Sequence, residues 1–401
     1  MVSENIHCAR ARNSIRNLDA SSFKDVDVLV TGGAGYFGIH LGRALNMLGA
    51  HVTLTDIQPP IEDYNSVEIK FVQGDICDKT FVQELCKGKS CIFHIASYGM
   101  SGYEMLKPTK FIESINVGGT DNVIEGCYLH DVPRLVYTST TAVVFGGQEI
   151  INATEETCPT LPLTSFTDDY SRTKCISENK ILKANGTITK GGAVLHTCAL
   201  RPPGIYGVGE RRHFPRIVNM MQAGLVRCTI GGLTALVDFI HIDNLVSSHI
   251  LAGDALTQKK KHVSGGEVYF VTDDAPINNW EFFRPLIEGL GCTFPKINLS
   301  FKFMFVIVLV LEWIHQLFKP LCHIQPFLTR TELYQISVPH YFNIVKARNH
   351  LGFKPLKRDI TDIVQYYLER GHRHKENRTC RIVMNIFVGV ALAFLVMLLV
   401  F

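Results

Sequence analysis

Paired cysteine spacing is missing from this chain. Its twelve cysteines are scattered over 401 residues, with no Cys-x-x-Cys and no Cys/His pattern of a zinc site. Scattered thiols of this kind read as reduced, mostly buried small hydrophobes facing the cytosol, and they exclude a disulfide-stapled secreted scaffold. Charge of one sign is equally scarce. The formal net charge is +3 and the densest basic run is Lys259-Lys260-Lys261, so nucleic acid is not an expected partner. The opening stretch MVSENIHCARARNSIRNLDASS holds no apolar run, so no secretory leader is expected and residues 1–24 read as a mobile extension. Internal repeats and low-complexity segments are lacking too, which sets solenoids and long disordered regions aside.

One long uncharged apolar run is present, IVMNIFVGVALAFLVMLLVF, from Ile382 to Phe401. At about 1.5 Å of rise per residue it matches a hydrocarbon core of about 30 Å. A basic flank at 376–381 precedes it, and such flanks stay on the cytoplasmic side. The expectation is a C-terminal transmembrane helix at 382–401, a single-pass anchor with the lipid bilayer as partner. The globular part would face the cytosol, at the endoplasmic reticulum. A second apolar stretch, Phe301 to Phe318, is interrupted by Lys302, Glu312 and His315 and predicts a buried or membrane-resting helix.

Between residues 25 and 250, short apolar runs such as VDVLVTG, HVTLTD, SCIFHIAS and PRLVYTS alternate with helical periodicity. Repeated βα units demand a parallel sheet with helices on both faces, so the fold class is α/β, doubly wound, of the Rossmann kind. The predicted nucleotide-binding domain spans 25–200 and is completed by about 237–256. An interleaved, smaller substrate lobe occupies 201–375.

VLVTGGAGYFGIHLG places Gly32, Gly35 and Gly38, with Tyr36 and Phe37 between the last two, where the first strand turns into the first helix. Residues without Cβ there let the backbone approach a pyrophosphate at the helix N-terminus. Asp56 closes the second strand, 18 residues beyond Gly38. Its carboxylate suits the ribose hydroxyls and repels a 2′-phosphate, and IQPPIEDY after it has no Arg or Lys, so NAD is preferred over NADP. Asp75, with Ile76 after it, ends the third strand in this reading, and either meets the adenine or is a plain strand-ending Asp. Tyr170 and Lys174 in YSRTK stand four residues apart on one helical face and can enter the same space.

TGGAGYFG, GDI, HIAS, NVGGT, YTST, YSRTK, LRPPGIYGVGE and FIHIDNLV occur in one order. In that order the chain resembles the extended short-chain dehydrogenase/reductases over about residues 25–375. The likeness is to their 3β-hydroxysteroid dehydrogenase branch and most of all to the 42E subgroup. The resemblance implies that Tyr170 is the catalytic acid/base, that Lys174 is its partner, and that Thr140, with Ser139 beside it, supplies the hydroxyl. It implies a relay or structural role for Asn116, Ala96 and Ser97 along the cofactor ribose, and Pro203 under the nicotinamide. Thr140 stands where the family usually has a second Ser, which keeps the hydroxyl and adds a methyl.

The implied function is NAD-dependent interconversion of a secondary alcohol and a ketone on a steroid or sterol. Sterol 4-carboxylate oxidation with decarboxylation, nucleotide-sugar epimerase or dehydratase chemistry, and non-catalytic NAD binding are the alternatives. A homodimer is left open. The physical reading of the pair is that a nearby ammonium favours the phenolate of a tyrosine whose ordinary pKa is about 10.

Asp56 generates a first prediction. The purified protein should bind NADH more tightly than NADPH by fluorescence titration, and Asp56→Ala should narrow the gap; equal affinities in the unaltered protein would remove Asp56 from this role.

Overall fold

The computed structural model describes residues 21–60, 69–100, 104–105, 107–232, 234–318 and 328–373. Seven parallel strands form the central sheet: β1 (Asp27–Thr31), β2 (His51–Asp56), β3 (Ile69–Gln73), β4 (Cys91–His94), β5 (Arg134–Thr138), β6 (Val194–Arg201) and β7 (Val268–Phe270). Their spatial order is β7-β6-β5-β4-β1-β2-β3, and the short strand Thr187–Ile188 runs antiparallel along β6. The inner strands are buried on both faces, with all five residues of Arg134–Thr138 inside. That is why they read as continuous apolar runs and not as alternating ones.

The connecting helices are α1 (Tyr36–Met47), α2 (Lys79–Cys86), α3 (Gly119–Leu129), α4 (Asp169–Lys183), α5 (His213–Gln222) and α6 (Ile242–Ala255). The order of strands reverses between β1 and β4, which opens a crevice at their C-terminal ends. The return of the chain at 237–256 supplies α6, which packs beside α1, and β7 then adds the last strand.

The substrate lobe is built from small pieces. Gly204–Tyr206 pairs with Phe239–His241, Cys228–Ile230 pairs with Ile297–Leu299, and Ile150–Ala153 reaches His340–Phe342. Helices α7 (Asn279–Gly289), α8 (Phe301–Phe318) and α9 (Arg330–Ser337) cover these strands. Asn278 caps α7 through bonds from Trp280 and Glu281, and Thr329 with Glu332 forms a reciprocal capping box on α9.

The expected fold needs one correction. Among the described residues no helix is long and apolar enough to cross a membrane. The expected transmembrane helix at 382–401 and its basic flank at 376–381 lie outside the described residues, as does most of the 1–24 extension. The fold described is therefore the doubly wound sheet with its lobe, with no membrane span among the described residues. The apolar stretch at 301–318 does form a helix, α8, and it is partly a core element. Met304 and Val308 are buried with Ile230, Trp280, Leu328 and Leu333, while Glu312 pairs with Arg330 at 2.6 Å.

Buried between α4 and β6 is one ion pair, Glu178 with Arg201, at 2.6 and 3.0 Å, with side chains 0% and 4% exposed. Two parallel N–H···O bonds satisfy the carboxylate, and the guanidinium also faces the Phe270 ring at 5.3 Å. Removing the carboxylate strands a buried charge. Glu178→Leu should lower unfolding free energy by about 3–5 kcal/mol in urea titration; a change under about 1 kcal/mol would show that the pair is compensated elsewhere.

Candidate active site

The turn after β1 is shaped by two glycines. Gly32 has φ +71°, and a Cβ there would lie 2.9 Å from the Ala96 nitrogen; a Cβ on Gly38 would lie 2.2 Å from the Gly32 carbonyl oxygen. Helix α1 starts at Gly35 with no side-chain cap, so its first N–H groups are left for a ligand. Asp56 accepts the Ala34 amide at 3.1 Å and the Gln58 amide at 3.3 Å, which ties the end of β2 to the loop. Asp75 accepts the Cys77 amide at 2.9 Å, and Asn122 holds the Ile76 carbonyl at 2.9 Å. These features fit a dinucleotide: a Cβ-free cradle, uncapped helix amides and a carboxylate at the ribose position.

A continuous chamber of about 1570 Å³ runs from this cradle into the lobe. All the site residues expected from sequence line it except Asn116: Gly32, Gly35, Tyr36, Phe37, Gly38, Asp56, Asp75, Ile76, Ala96, Ser97, Thr140, Tyr170, Lys174 and Pro203. Tyr36 also donates its hydroxyl to the Val208 carbonyl at 3.2 Å, closing the loop against the lobe.

Tyr170 and Lys174 sit on the first turns of α4. The helix begins there because Asp168 accepts the Ser171 amide at 2.7 Å as its N-cap, and Asp169 binds Arg172. The acidic pair ahead of YSRTK is thus a helix start. Both functional side chains are buried. Lys174 donates to the Thr138 carbonyl and lies 4.1 Å from the centre of the Tyr137 ring. Burial pulls its pKa down to about 7, and Glu178 one turn away pulls it back up.

Burial pushes Tyr170 up to about 12, against the pull of the Arg212 guanidinium and a hydrogen bond with Ser97, while Asp168 adds to the rise. The sequence expectation had Lys174 as the cation that favours the phenolate. Arg212 has that part here, because the lysine is turned to Thr138 and is itself depressed by burial. Arg212 also faces Glu104 at 3.5 Å.

Thr140 accepts the Ala142 amide at 3.2 Å and so caps the short helical turn that follows, leaving its own hydroxyl proton to donate. Beside it, the Ser139 hydroxyl is buried with no hydrogen-bond partner among the described residues, and it too lines the chamber. Asn116 lies behind the wall in a π-turn, Ser114–Gly118. Its amide bonds the Tyr98 nitrogen, the Tyr98 carbonyl and the Thr173 hydroxyl, all at 2.8–2.9 Å. Its own carbonyl already accepts from Thr120 and Ser177 at 2.6 and 2.7 Å. Of the two roles expected for Asn116, the geometry favours the brace over the relay.

Sequence reasoning missed His94 and Glu104, and noted the basic stretch ERRHFPR that holds Arg212 only as a charge a diphosphate might use. His94 had a visible signal, an imidazole at the end of a buried strand. Glu104 lies 108 positions from Arg212 and had none.

Comparison with known proteins follows the geometry. The model of the 3-beta hydroxysteroid dehydrogenase/isomerase family matches residues 29–301. "Short-chain dehydrogenase/reductase family 42E member 1" of Danio rerio is 48% identical over 371 residues, covering 92% of this chain and 95% of the relative. "3beta-hydroxysteroid-dehydrogenase/decarboxylase isoform 1" of Arabidopsis thaliana is 34% identical over 82% of this chain and 76% of the relative. Among solved structures, MoeE5 in complex with UDP-glucose and NAD superposes with a TM-score of 0.64 at 21% identity, covering 86% of this chain and 99% of that one. That likeness carries the fold alone.

The cradle generates its own prediction. Gly38→Ala forces the glycine loop apart at a cost of about 1–3 kcal/mol and should weaken NADH binding measured by fluorescence. Retention of full affinity would place the dinucleotide elsewhere.

Proposed function

Because the chain belongs to the 3-beta hydroxysteroid dehydrogenase/isomerase family, an oxidoreductase family, we propose that it interconverts a secondary alcohol and a ketone on a steroid or sterol with NAD as cofactor. One observation carries the reading. The Tyr170–Lys174 pair and the Ser139–Thr140 hydroxyls meet the glycine cradle in one chamber, whose far part is walled by Ile230, Phe239, Trp280, Phe283 and Leu328. Such a wall suits a fused-ring apolar molecule, with the polar groups gathered where the oxygen reacts.

NAD, when bound, would supply the hydride acceptor for the carbinol carbon. The protein's own part is to hold and deprotonate the alcohol. Thr140 donates a hydrogen bond to the substrate oxygen and sets its distance from Tyr170. The Tyr170 oxygen takes the hydroxyl proton, aided by the cationic groups around it. Gly32 and Gly38 would let the cofactor lie close, Asp56 would receive the ribose hydroxyls, and Pro203 would support the nicotinamide side. The apolar wall excludes water from the reacting carbon.

Oxidation of a sterol carboxylate with loss of carbon dioxide is a second reading. Arg212 supports it, because its guanidinium acts on Tyr170 and can receive a carboxylate beside the reacting oxygen. The decarboxylase named for the Arabidopsis relative is consistent with that chemistry.

NADH absorbance with 3β-hydroxysteroids, 4-carboxysterols and UDP-sugars checks both readings. NADH should form with the sterols and not with UDP-sugars. Tyr170→Phe should lower turnover by about 10²–10⁴-fold while NADH binding persists. Turnover of a UDP-sugar alone, or near-normal turnover by the variant, would sink the assignment.

A further inference from the structure

Thr138, the last residue of β5, holds two partners at once. Its main-chain carbonyl accepts from the Lys174 ammonium, and its hydroxyl lies 2.9 Å from Nε2 of His249 on α6. Nδ1 of the same imidazole lies 2.9 Å from the Leu245 carbonyl, with the Ser248 hydroxyl at 3.4 Å. A carbonyl only accepts, so Nδ1 carries the ring proton. Nε2 is then a lone pair, and the Thr138 hydroxyl must donate to it.

The direction of every bond in this chain is thereby set. His249 is fully buried, and burial holds its pKa down at about 3, so the ring stays neutral and the pattern does not invert near neutrality. The ring also meets Phe37 edge-on at 4.6 Å. One imidazole therefore touches both the helix that opens the dinucleotide cradle and the strand end whose carbonyl accepts from the lysine.

We propose that His249 is a positioning residue for the Tyr170–Lys174 pair: by holding the Thr138 side chain it holds the carbonyl on which the Lys174 ammonium rests. The inference rests on the reading of Tyr170 and Lys174 as the proton-transfer pair. That carbonyl is the hydrogen-bond acceptor of the ammonium among the described residues, and the other contact is the Tyr137 face. A rotation of the Thr138 peptide would carry the acceptor away. A small shift in Lys174 then moves its charge relative to Tyr170.

The groups that face Lys174 are Glu178 from its own helix, His94 from β4 and Tyr137 from β5. His94 is neutral, held down to about 3 by burial, so Glu178 is the anion in this set. The side chains around the His249 ring are Thr138, Ser248 and Phe37, and none is charged. A change at 249 thus reaches Lys174 through geometry and not through a lost charge.

The test reads Lys174 directly. Competitive amine labelling of the purified full-length protein, without cofactor or substrate, followed by peptide mass spectrometry, should give Lys174 a midpoint near about 7. His249→Phe keeps the ring packing against Phe37 and removes both nitrogens. It should lower the midpoint by about one unit, because the charged form loses its acceptor. His249→Gln offers an amide oxygen to Thr138 and an amide N–H to Leu245, and should return the midpoint to the original value. A folded His249→Phe protein with an unshifted midpoint overturns the proposal, and so does a His249→Gln shift as large as the Phe one. If His249→Phe does not fold, Thr138→Val carries the test: the same fall supports the proposal and an unchanged midpoint overturns it. Because no substrate enters the titration, its outcome is separate from the steroid reading, which stands or falls on NADH formation.

Discussion

An ammonium group carried into a protein interior needs a hydrogen-bond acceptor and some compensation for its lost water. Lys174 is 1% exposed, and its surroundings are arranged around that requirement. The Thr138 carbonyl accepts from it, the Tyr137 ring lies under it, and Glu178 supplies negative charge from the next turn. Glu178 is in turn held by Arg201, which sits on the neighbouring strand β6. The lysine therefore binds three elements of the fold together, α4, β5 and β6, at the edge of the chamber. Its depressed pKa is a consequence of that depth, and so is the tyrosine's raised one.

The same economy of buried polar groups explains the wall on the other side. Thr31 ends β1 and accepts the Ile95 and Ala96 amides at 3.2 and 3.3 Å while bonding His94 Nδ1 at 2.7 Å. His94 Nε2 reaches Thr120 at 2.9 Å, and Thr120 donates to the Asn116 carbonyl at 2.6 Å. Since Thr120 donates onward, Nε2 must be the protonated nitrogen and Thr31 must donate to Nδ1. The chain runs one way, from the Ala96 amide on the chamber wall to the π-turn that carries Asn116. Asn116 then bridges Tyr98 and Thr173, so the loop that follows β4 and the helix bearing Tyr170 share a single support. A side chain used on every polar atom in this way braces the site; it has no free group left to pass a proton.

Much of this was legible in the amino-acid order because the chemistry is local. Gly32 to Gly38 lie within one strand-to-helix turn, Asp56 ends the next strand, and Tyr170 and Lys174 are one helical turn apart. Periodicity and spacing suffice for such features. Thr140 was legible only through the family resemblance, and its role as a cap acceptor was not, since that depends on the turn that follows. The 301–318 stretch shows the limit of composition: apolar content alone could not tell a helix resting on a membrane from one whose Met304 and Val308 pack on Trp280 and Leu333.

The sequence by itself determined the parallel sheet, the order of its βα units, the dinucleotide cradle and the placing of Tyr170 and Lys174 on one helical face. Each is written in residues a few positions apart, where backbone geometry does the linking. Only the tertiary structure decided which groups set the ionisation of that pair. Arg212 acts on Tyr170 from 42 positions away, and His249 reaches Thr138 across 111. Burial, which moves both pKa values, belongs to the packed whole and not to any segment. The direction of a hydrogen bond through an imidazole is likewise a property of its two neighbours, and those neighbours meet only when the sheet and its helices close.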